Sequence, residues 1–123
     1  MENLTLTKTN ISPEVNFNIN GELSISGKIL TENAVLTFEP LLKWIDELSD
    51  VKISFEINLE YMNTSATMQL FNLLRHLDTN CSISEIEVKW YYDEDDEDHL
   101  ETGELISEKL YRTKFYYLEN QAA

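Results

Sequence analysis

The chain has 123 residues, 23 acidic and 9 basic, and a formal net charge of −14 at pH 7. This length predicts one domain, residues 1–123, and the 42% of apolar residues excludes a disordered chain. The charge excludes nucleic acid and anionic membranes as partners because both repel it. No apolar run reaches membrane-spanning length, the residues MENLTLTKTN lack the basic and apolar regions expected of a signal peptide, and the lone Cys81 fits a reducing compartment. We therefore expect a cytoplasmic protein.

The N-terminal residues predict a β-hairpin. Apolar and polar residues alternate over 15–19 and again over 23–26, and Asn20-Gly21 lies between the two runs. This arrangement is typical of a two-residue turn in which both positions have positive φ. A weaker strand over residues 4–9 precedes the hairpin.

Helices and strands alternate after the hairpin. A stripe of apolar residues at helical spacing predicts a first helix from the mid-thirties to Ser49, and residues 51–59 alternate as in a strand with one buried face. The later elements are predicted as a second helix ending near Asp78, a strand over 86–92, a third helix over 96–111 and a strand over 115–118. This order predicts a small α/β sandwich with a mixed sheet, an N-terminal β-hairpin and helices mainly on one face.

The junction between the central strand and the second helix carries three small polar residues, Asn63, Thr64 and Ser65. Asn63 or Thr64 is expected to cap the helix, because a side-chain oxygen there accepts a hydrogen bond from a free amide of the first turn. The same position lies at the positive end of the helix dipole, which tolerates a phosphate well. The residues alone leave both roles open.

A run of six acids, Asp93 to Asp98, follows Trp90, Tyr91 and Tyr92. The run lacks the ligand spacing and the later Glu of a calcium loop, so we expect no metal site. Its carboxylates instead favour the N-terminus of the third helix, and Lys109, Arg112 and Lys114 suit the far end of that helix.

The sequence shows no recognisable catalytic motif. Cys81, His76 and His99 show no pairing of nucleophile and base, and three glycines do not form a phosphate-binding loop. We expect neither a catalytic residue nor a cofactor.

Three segments together resemble the SiaC-type regulatory phosphoproteins. They are TENAVLTFEPLLKWI from Thr31, LEYMNTSAT from Leu59 and WYYDEDDEDHLETGE from Trp90. The first lacks the family's Pro, since Thr31 precedes Glu32, and Ala66 replaces the second Ser of the middle segment. The matches span most of the chain from Glu32 onward.

This resemblance implies a STAS-like fold of the anti-sigma-factor-antagonist type and a role in partner switching. It implies that a protein kinase phosphorylates Thr64, with Ser65 as the alternative, and that a PP2C-type phosphatase reverses the reaction. The unphosphorylated form is implied to bind and activate a diguanylate cyclase, so that phosphorylation controls cyclic di-GMP. We expect the partner-binding residues to be Tyr61, Met62, Asn63, Thr64, Ser65 and Met68.

Two alternatives to this interpretation remain. Ordinary packing would explain Tyr61 as well as partner contact does, and Met68 better. A constitutive or cation-dependent acidic interaction module, in which Thr64 has no switching role, would explain the acidic run without phosphorylation.

Overall fold

The computed structural model describes residues 1–120. Six strands and three helices follow one another in the order β1 (Leu4–Leu6), β2 (Glu14–Phe17), β3 (Glu22–Ile29), α1 (Ala34–Asp46), β4 (Lys52–Met62), α2 (Thr64–Thr79), β5 (Glu85–Tyr92), α3 (Glu97–Glu108) and β6 (Thr113–Glu119). Within residues 1–120 no helix is both long enough and apolar enough to cross a membrane.

The six strands form one mixed sheet in which the spatial order equals the chain order. Strands β1, β2 and β3 pair antiparallel, and β3 to β6 pair parallel. Each parallel connection passes through a helix, with α1 joining β3 to β4, α2 joining β4 to β5 and α3 joining β5 to β6. The predicted mixed α/β sheet with an N-terminal hairpin is confirmed.

The helices cover one face of this sheet. Along β4, Ile53, Phe55 and Ile57 are buried while Lys52 and Glu56 are exposed on the other face. The buried residues of α1, α2 and α3 join the same hydrophobic cluster as these strand residues. One face of the sheet is therefore packed and the opposite face is wet, as the alternation over residues 51–59 predicted.

The hairpin turn differs from the prediction. The amide of Gly21 donates to the carbonyl of Asn18 at 3.0 Å. Of the two predicted turn residues, Gly21 has a positive φ, of 97°, and Asn20 does not. The expectation that both turn positions take positive φ is therefore wrong. A Cβ on Gly21 would lie 2.0 Å from the carbonyl oxygen of Lys52, so the neighbouring strand also requires glycine here.

Two helices end earlier than predicted. α1 ends at Asp46 rather than Ser49, because the amides of Glu47 and Leu48 turn back to carbonyls three residues earlier. α3 ends at Glu108 rather than Tyr111, because the amide of Tyr111 donates to a carboxylate on another helix. The first strand ends at Leu6 rather than Thr9, and the last is longer than predicted.

That carboxylate belongs to Asp78, near the C-terminus of α2, and it is almost fully buried. It accepts hydrogen bonds at 2.8–3.0 Å from the amides of Tyr111, Arg112 and Thr113 and from the Thr113 hydroxyl. Burial raises the pKa of Asp78, but these hydrogen bonds outweigh it and hold the pKa below the usual value of 3.8.

Arg112 completes this anchor. Its guanidinium donates to the carbonyls of Asp78, Asn80 and Ile83, where α2 ends and the chain turns towards β5. The prediction that Arg112 serves the end of α3 is wrong, because the guanidinium instead binds carbonyls at the C-terminus of α2 and in the loop that follows it. The C-terminus of α2 is thus tied to the start of β6.

Candidate functional site

A β-bulge shapes the end of the central strand. Gly27 of β3 pairs with Leu59, but the next residue, Lys28, pairs with Tyr61, so that Glu60 is an extra residue in β4. Gly27 has φ 101°, a value that favours glycine. The bulge shifts the alternation of side chains by one position. Tyr61, which the pattern of buried residues 53 to 59 would place in the core, is therefore 54% exposed.

Asn63 caps α2. Its side-chain oxygen accepts a hydrogen bond of 2.8 Å from the amide of Ala66, and its side-chain nitrogen donates to the carbonyl of Thr31 at 3.0 Å. Its carbonyl also accepts a bond from the Thr67 hydroxyl. Of the two candidates for the cap, Asn63 fills the role, and the hydroxyl of Thr64 is not needed for it.

Thr64 and Ser65 are the first two residues of α2, and both are exposed. The amides of this turn point out of the helix end, where the dipole is positive. A phosphate on either hydroxyl would meet a favourable local field without displacing the cap or any core residue. The site can therefore accept a modification chemically.

Four of the six predicted partner-binding residues are exposed at this junction, and two are half-buried. Tyr61 is 54% and Met68 65% exposed, so ordinary core packing does not account for either side chain. Thr64 and Ser65 are exposed, whereas Met62 and Asn63 are half-buried, the latter engaged as the cap. Through the bulge Tyr61 pairs with Lys28 and faces the open side of the sheet, whereas Met68 lies on the helical side. Thr64 and Ser65 lie between them, where α2 begins.

The sequence reasoning missed a neighbouring pair of apolar residues. Val35 and Leu36, in the first turn of α1, are 52% and 63% exposed. The bond from Asn63 to Thr31 brings the start of α1 next to the start of α2. Their position in the sequence could have predicted this exposure, because neither residue falls in the stripe of buried residues that begins at Ala34.

The acidic run lies at the same edge of the sheet as Thr64, because α2 and α3 both begin where parallel strands end. Asp96 caps α3 by accepting from the amide of His99 at 3.1 Å, and Glu97 and Asp98 occupy its first turn. The prediction that these carboxylates favour the helix N-terminus is confirmed. Within residues 1–120, no three or more His, Cys, Asp or Glu side chains group as metal ligands.

The rest of the aromatic-acidic segment builds the contact between α3 and the sheet. Trp90 is fully buried, donates from Nε1 to the carbonyl of His99 at 3.1 Å and stacks on the imidazole at 4.9 Å between ring centroids. A Cβ on Gly103 would lie 2.7 Å from the Trp90 ring. The spacing from Trp90 to Gly103 is therefore a packing requirement, since only glycine lets the helix approach the indole this closely.

The histidines and the cysteine do not form a reactive group. Burial lowers the pKa of His99, against the opposing charges of Asp96 and Asp93, and favours the neutral imidazole. His76 pairs instead with Asp46 at 3.0 Å, and Cys81 is exposed. His99 packs on Trp90 and His76 bonds to Asp46, so these side chains have separate partners.

Comparisons with known proteins agree with this architecture. The model of the SiaC family regulatory phosphoproteins matches residues 6–120. No curated protein matches the chain.

Solved structures of SiaC from Pseudomonas aeruginosa share the fold at low sequence identity. One is 20% identical, with a TM-score of 0.82 over 98% of this chain and 100% of that chain. The structure of apo-SiaC is 22% identical, with a TM-score of 0.77 over 96% of this chain and 99% of that chain.

A third match comes from a complex of diguanylate cyclase SiaD with its activator SiaC, also from Pseudomonas aeruginosa. It is 22% identical, with a TM-score of 0.78 over 95% of this chain and 99% of that chain. The family match covers nearly all described residues, and the resemblance inferred from the three segments is confirmed. The chain belongs to the SiaC family of regulatory phosphoproteins.

Proposed function

We propose that this chain is a non-enzymatic, phosphorylation-switched binding protein whose unphosphorylated form binds and activates a diguanylate cyclase. The observation that carries the proposal is the exposed position of Thr64 at the start of α2, directly after the helix cap Asn63 and between the exposed Tyr61 and Met68 in the sequence. The activator SiaC, seen in complex with the cyclase SiaD, supports the choice of partner.

The proposed switch acts through desolvation. An unmodified Thr64 presents a small neutral hydroxyl, over which a partner packs apolar groups against Tyr61 and Met68. Phosphorylation adds a charge of about −1.5 to −2 at that point. Burying this charge without a cationic partner is strongly unfavourable, so the cyclase is released.

The acidic edge reinforces this effect. Glu60 pairs with Lys28 at 3.9 Å between Oε2 and Nζ, and the run from Asp93 to Asp98 lies at the same edge of the sheet as Thr64. A phosphate adds like charge to this edge, and a partner that binds the neutral form gains no compensating contact. The kinase and the PP2C-type phosphatase that we propose must approach the same edge, for which basic surfaces are suited.

The test combines mass spectrometry with a cyclase assay. Protein purified from its native cells is analysed for phosphate at Thr64 and Ser65, beside the variants Thr64→Ala and Ser65→Ala. The purified cyclase from the same genome is then assayed for cyclic di-GMP synthesis with the phosphorylated and unphosphorylated chain. We expect phosphate at Thr64, activation by the unphosphorylated form and loss of activation on phosphorylation.

Two results would contradict the proposal. If the native protein carries no phosphate under growth or stress, the constitutive interaction module replaces the switch. If both forms activate the cyclase equally, phosphorylation of Thr64 has no role in this contact. A dependence of binding on millimolar calcium would favour the cation-dependent module instead.

A further inference from the structure

A buried nitrogen near the start of α3 lacks a hydrogen-bond partner. It is Nε2 of His99, in the first turn of the helix, and it pairs with no donor or acceptor among residues 1–120. The residue is 9% exposed, and its ring stacks on the fully buried indole of Trp90 with 28° between the ring planes. A buried polar atom without a partner costs free energy, so this side chain is held in place against a penalty.

Both the backbone and the ring of His99 fasten α3 to the sheet. The Nε1 of Trp90, on β5, donates to the His99 carbonyl at 3.1 Å, and the Asp96 carboxylate accepts from the His99 amide at 3.1 Å. Gly103, one turn further along α3, lies against the same indole. The first turn of α3 therefore rests on Trp90, with the imidazole between the helix and the sheet.

This position suits a neutral imidazole and disfavours an imidazolium. A neutral ring leaves a single nitrogen without a partner. Protonation adds a charge and makes both ring nitrogens donors, although Nε2 has no acceptor among the described residues. Burial accordingly holds the pKa of His99 below its usual value of 6.5.

The groups around the ring determine where a protonated imidazole would move. The carboxylates of Asp96 and Asp93, in the loop before α3, favour the protonated form. Strand β5 presents the uncharged indole of Trp90 and the carbonyl of Tyr91. Strand β6 reaches α3 through the hydroxyl of Tyr117, whose pKa is raised by burial, so that it is uncharged in acid. A protonated ring is therefore attracted away from the indole and towards the loop.

We propose that His99 is an acid-sensitive latch for α3, whose neutral ring holds the first turn on Trp90 and whose protonation turns the ring towards Asp93 and Asp96 and releases that turn. The latch is a property of the fold and does not depend on the proposed phosphorylation of Thr64. An imidazole in the released turn has an ordinary pKa of about 6.5, above that of the buried ring. The closed state is therefore fully favoured above about pH 6.5 and loses stability as the pH falls from there through the pKa of the buried ring.

Exchange of the Trp90 indole proton with solvent tests the latch. This proton is buried in its bond to the His99 carbonyl, so it exchanges only when the first turn of α3 lifts. NMR measures the opening constant at about pH 7.5 and about pH 5.5, after correction for the intrinsic pH dependence of exchange. We expect a rise of about fivefold to tenfold at the lower pH. The indole proton of Trp44, on α1, bonds to the Glu2 carbonyl and is the internal control.

Two variants separate the titration of the ring from its packing. His99→Phe keeps a flat ring against the indole but cannot be protonated, so the acid-dependent rise should disappear. His76→Gln removes the other histidine, which pairs with Asp46, and should leave the rise unchanged. Thermal unfolding near neutral pH checks that both variants fold.

Three results would overturn the latch. The opening constant of the Trp90 indole could be the same at both pH values, or it could rise equally in His99→Phe. The His99 imidazole of the folded wild type could also titrate at or above about pH 6.5 by NMR. This last measurement decides the question even if His99→Phe does not fold. The absence of phosphate at Thr64 would change none of these results, so the latch and the proposed function fail separately.

Discussion

The two ends of α2 are built in opposite ways. At the N-terminus one side chain, that of Asn63, caps the helix, and Thr64 and Ser65 are exposed. At the C-terminus the buried Asp78 accepts four hydrogen bonds from residues 111–113, where β6 begins, and Arg112 binds three carbonyls at and beyond the helix end.

This difference would let the domain carry the proposed modification site without loss of its fold. The anchored end holds the helix in register with the sheet, so the other end can gain or lose a charge while the core stays packed. Segments that respond to a signal are expected to be the less stable parts of a structure. Here the anchored end and the end open to modification belong to a single helix.

The largest effect should come from removing the anchor. Asp78→Ala leaves the amides of Tyr111, Arg112 and Thr113 and the Thr113 hydroxyl without their buried acceptor. We expect a loss of about 3 kcal/mol or more in the free energy of unfolding. Urea denaturation measures it. Asp46→Ala, which removes an exposed carboxylate from the end of α1, is the control and should cost under about 1 kcal/mol. Equal losses in the two variants would show that Asp78 contributes no more than an exposed carboxylate and would refute the anchor.

The same anchor predicts a dependence on acid. The pKa of Asp78 is lower in the folded chain than in the unfolded one, so its contribution is complete above the unfolded pKa and is lost as the pH falls through the folded pKa. Between about pH 5 and pH 2 the wild type should therefore lose more stability than Asp78→Ala does. If the free energy of unfolding of the two proteins falls by the same amount over this pH range, the anchor is refuted.

A substitution at Gly103 tests whether α3 is packed tightly against the sheet at Trp90. Gly103→Ala places a Cβ against the Trp90 ring, and we expect a loss of about 2 kcal/mol from the displaced helix. Thermal or urea unfolding measures the loss, and Glu104→Ala on the exposed side of α3 is the control. A fully stable Gly103→Ala would mean that α3 moves freely over the indole.

The Asn63 cap should contribute less to the free energy of unfolding than the Asp78 anchor or the packing at Gly103. Asn63→Ala removes the bonds to the Ala66 amide and the Thr31 carbonyl, and we expect a loss of about 1 kcal/mol. Hydrogen exchange should locate the loosening in the first turn of α2 and leave the amides near Asp78 protected. Loosening along the whole helix would contradict the independence of its two ends.

The smallest effect on stability should come from Thr64, the proposed switch residue. Thr64→Ala removes an exposed hydroxyl that does not cap the helix, so we expect a change within about 0.5 kcal/mol. The same substitution should abolish phosphorylation of the chain in its native cells, as read by intact mass. A large loss of stability would show that Thr64 is structural and weaken its assignment as a switch.

Much of this architecture was predictable from local patterns. The alternation over residues 51–59 predicted a half-buried strand, and the order of elements predicted a mixed sheet. The three segments that resemble the family predicted its identity, which the match over residues 6–120 confirmed. These properties follow from the period of side chains along one element and from residue order, both of which are local.

The tertiary structure decided what depends on distant contacts. The exposure of Tyr61 follows from a bulge against β3, and the end of α3 follows from hydrogen bonds to Asp78, more than thirty positions earlier. A groove lies between α2 and α3, lined by Met68 and Phe71 of one helix and Leu105 and Ile106 of the other. Alternation and apolar spacing in the sequence determine which side of an element is buried. The register between elements and the distance between helices depend on packing across the whole core, and no local sequence pattern contains that information.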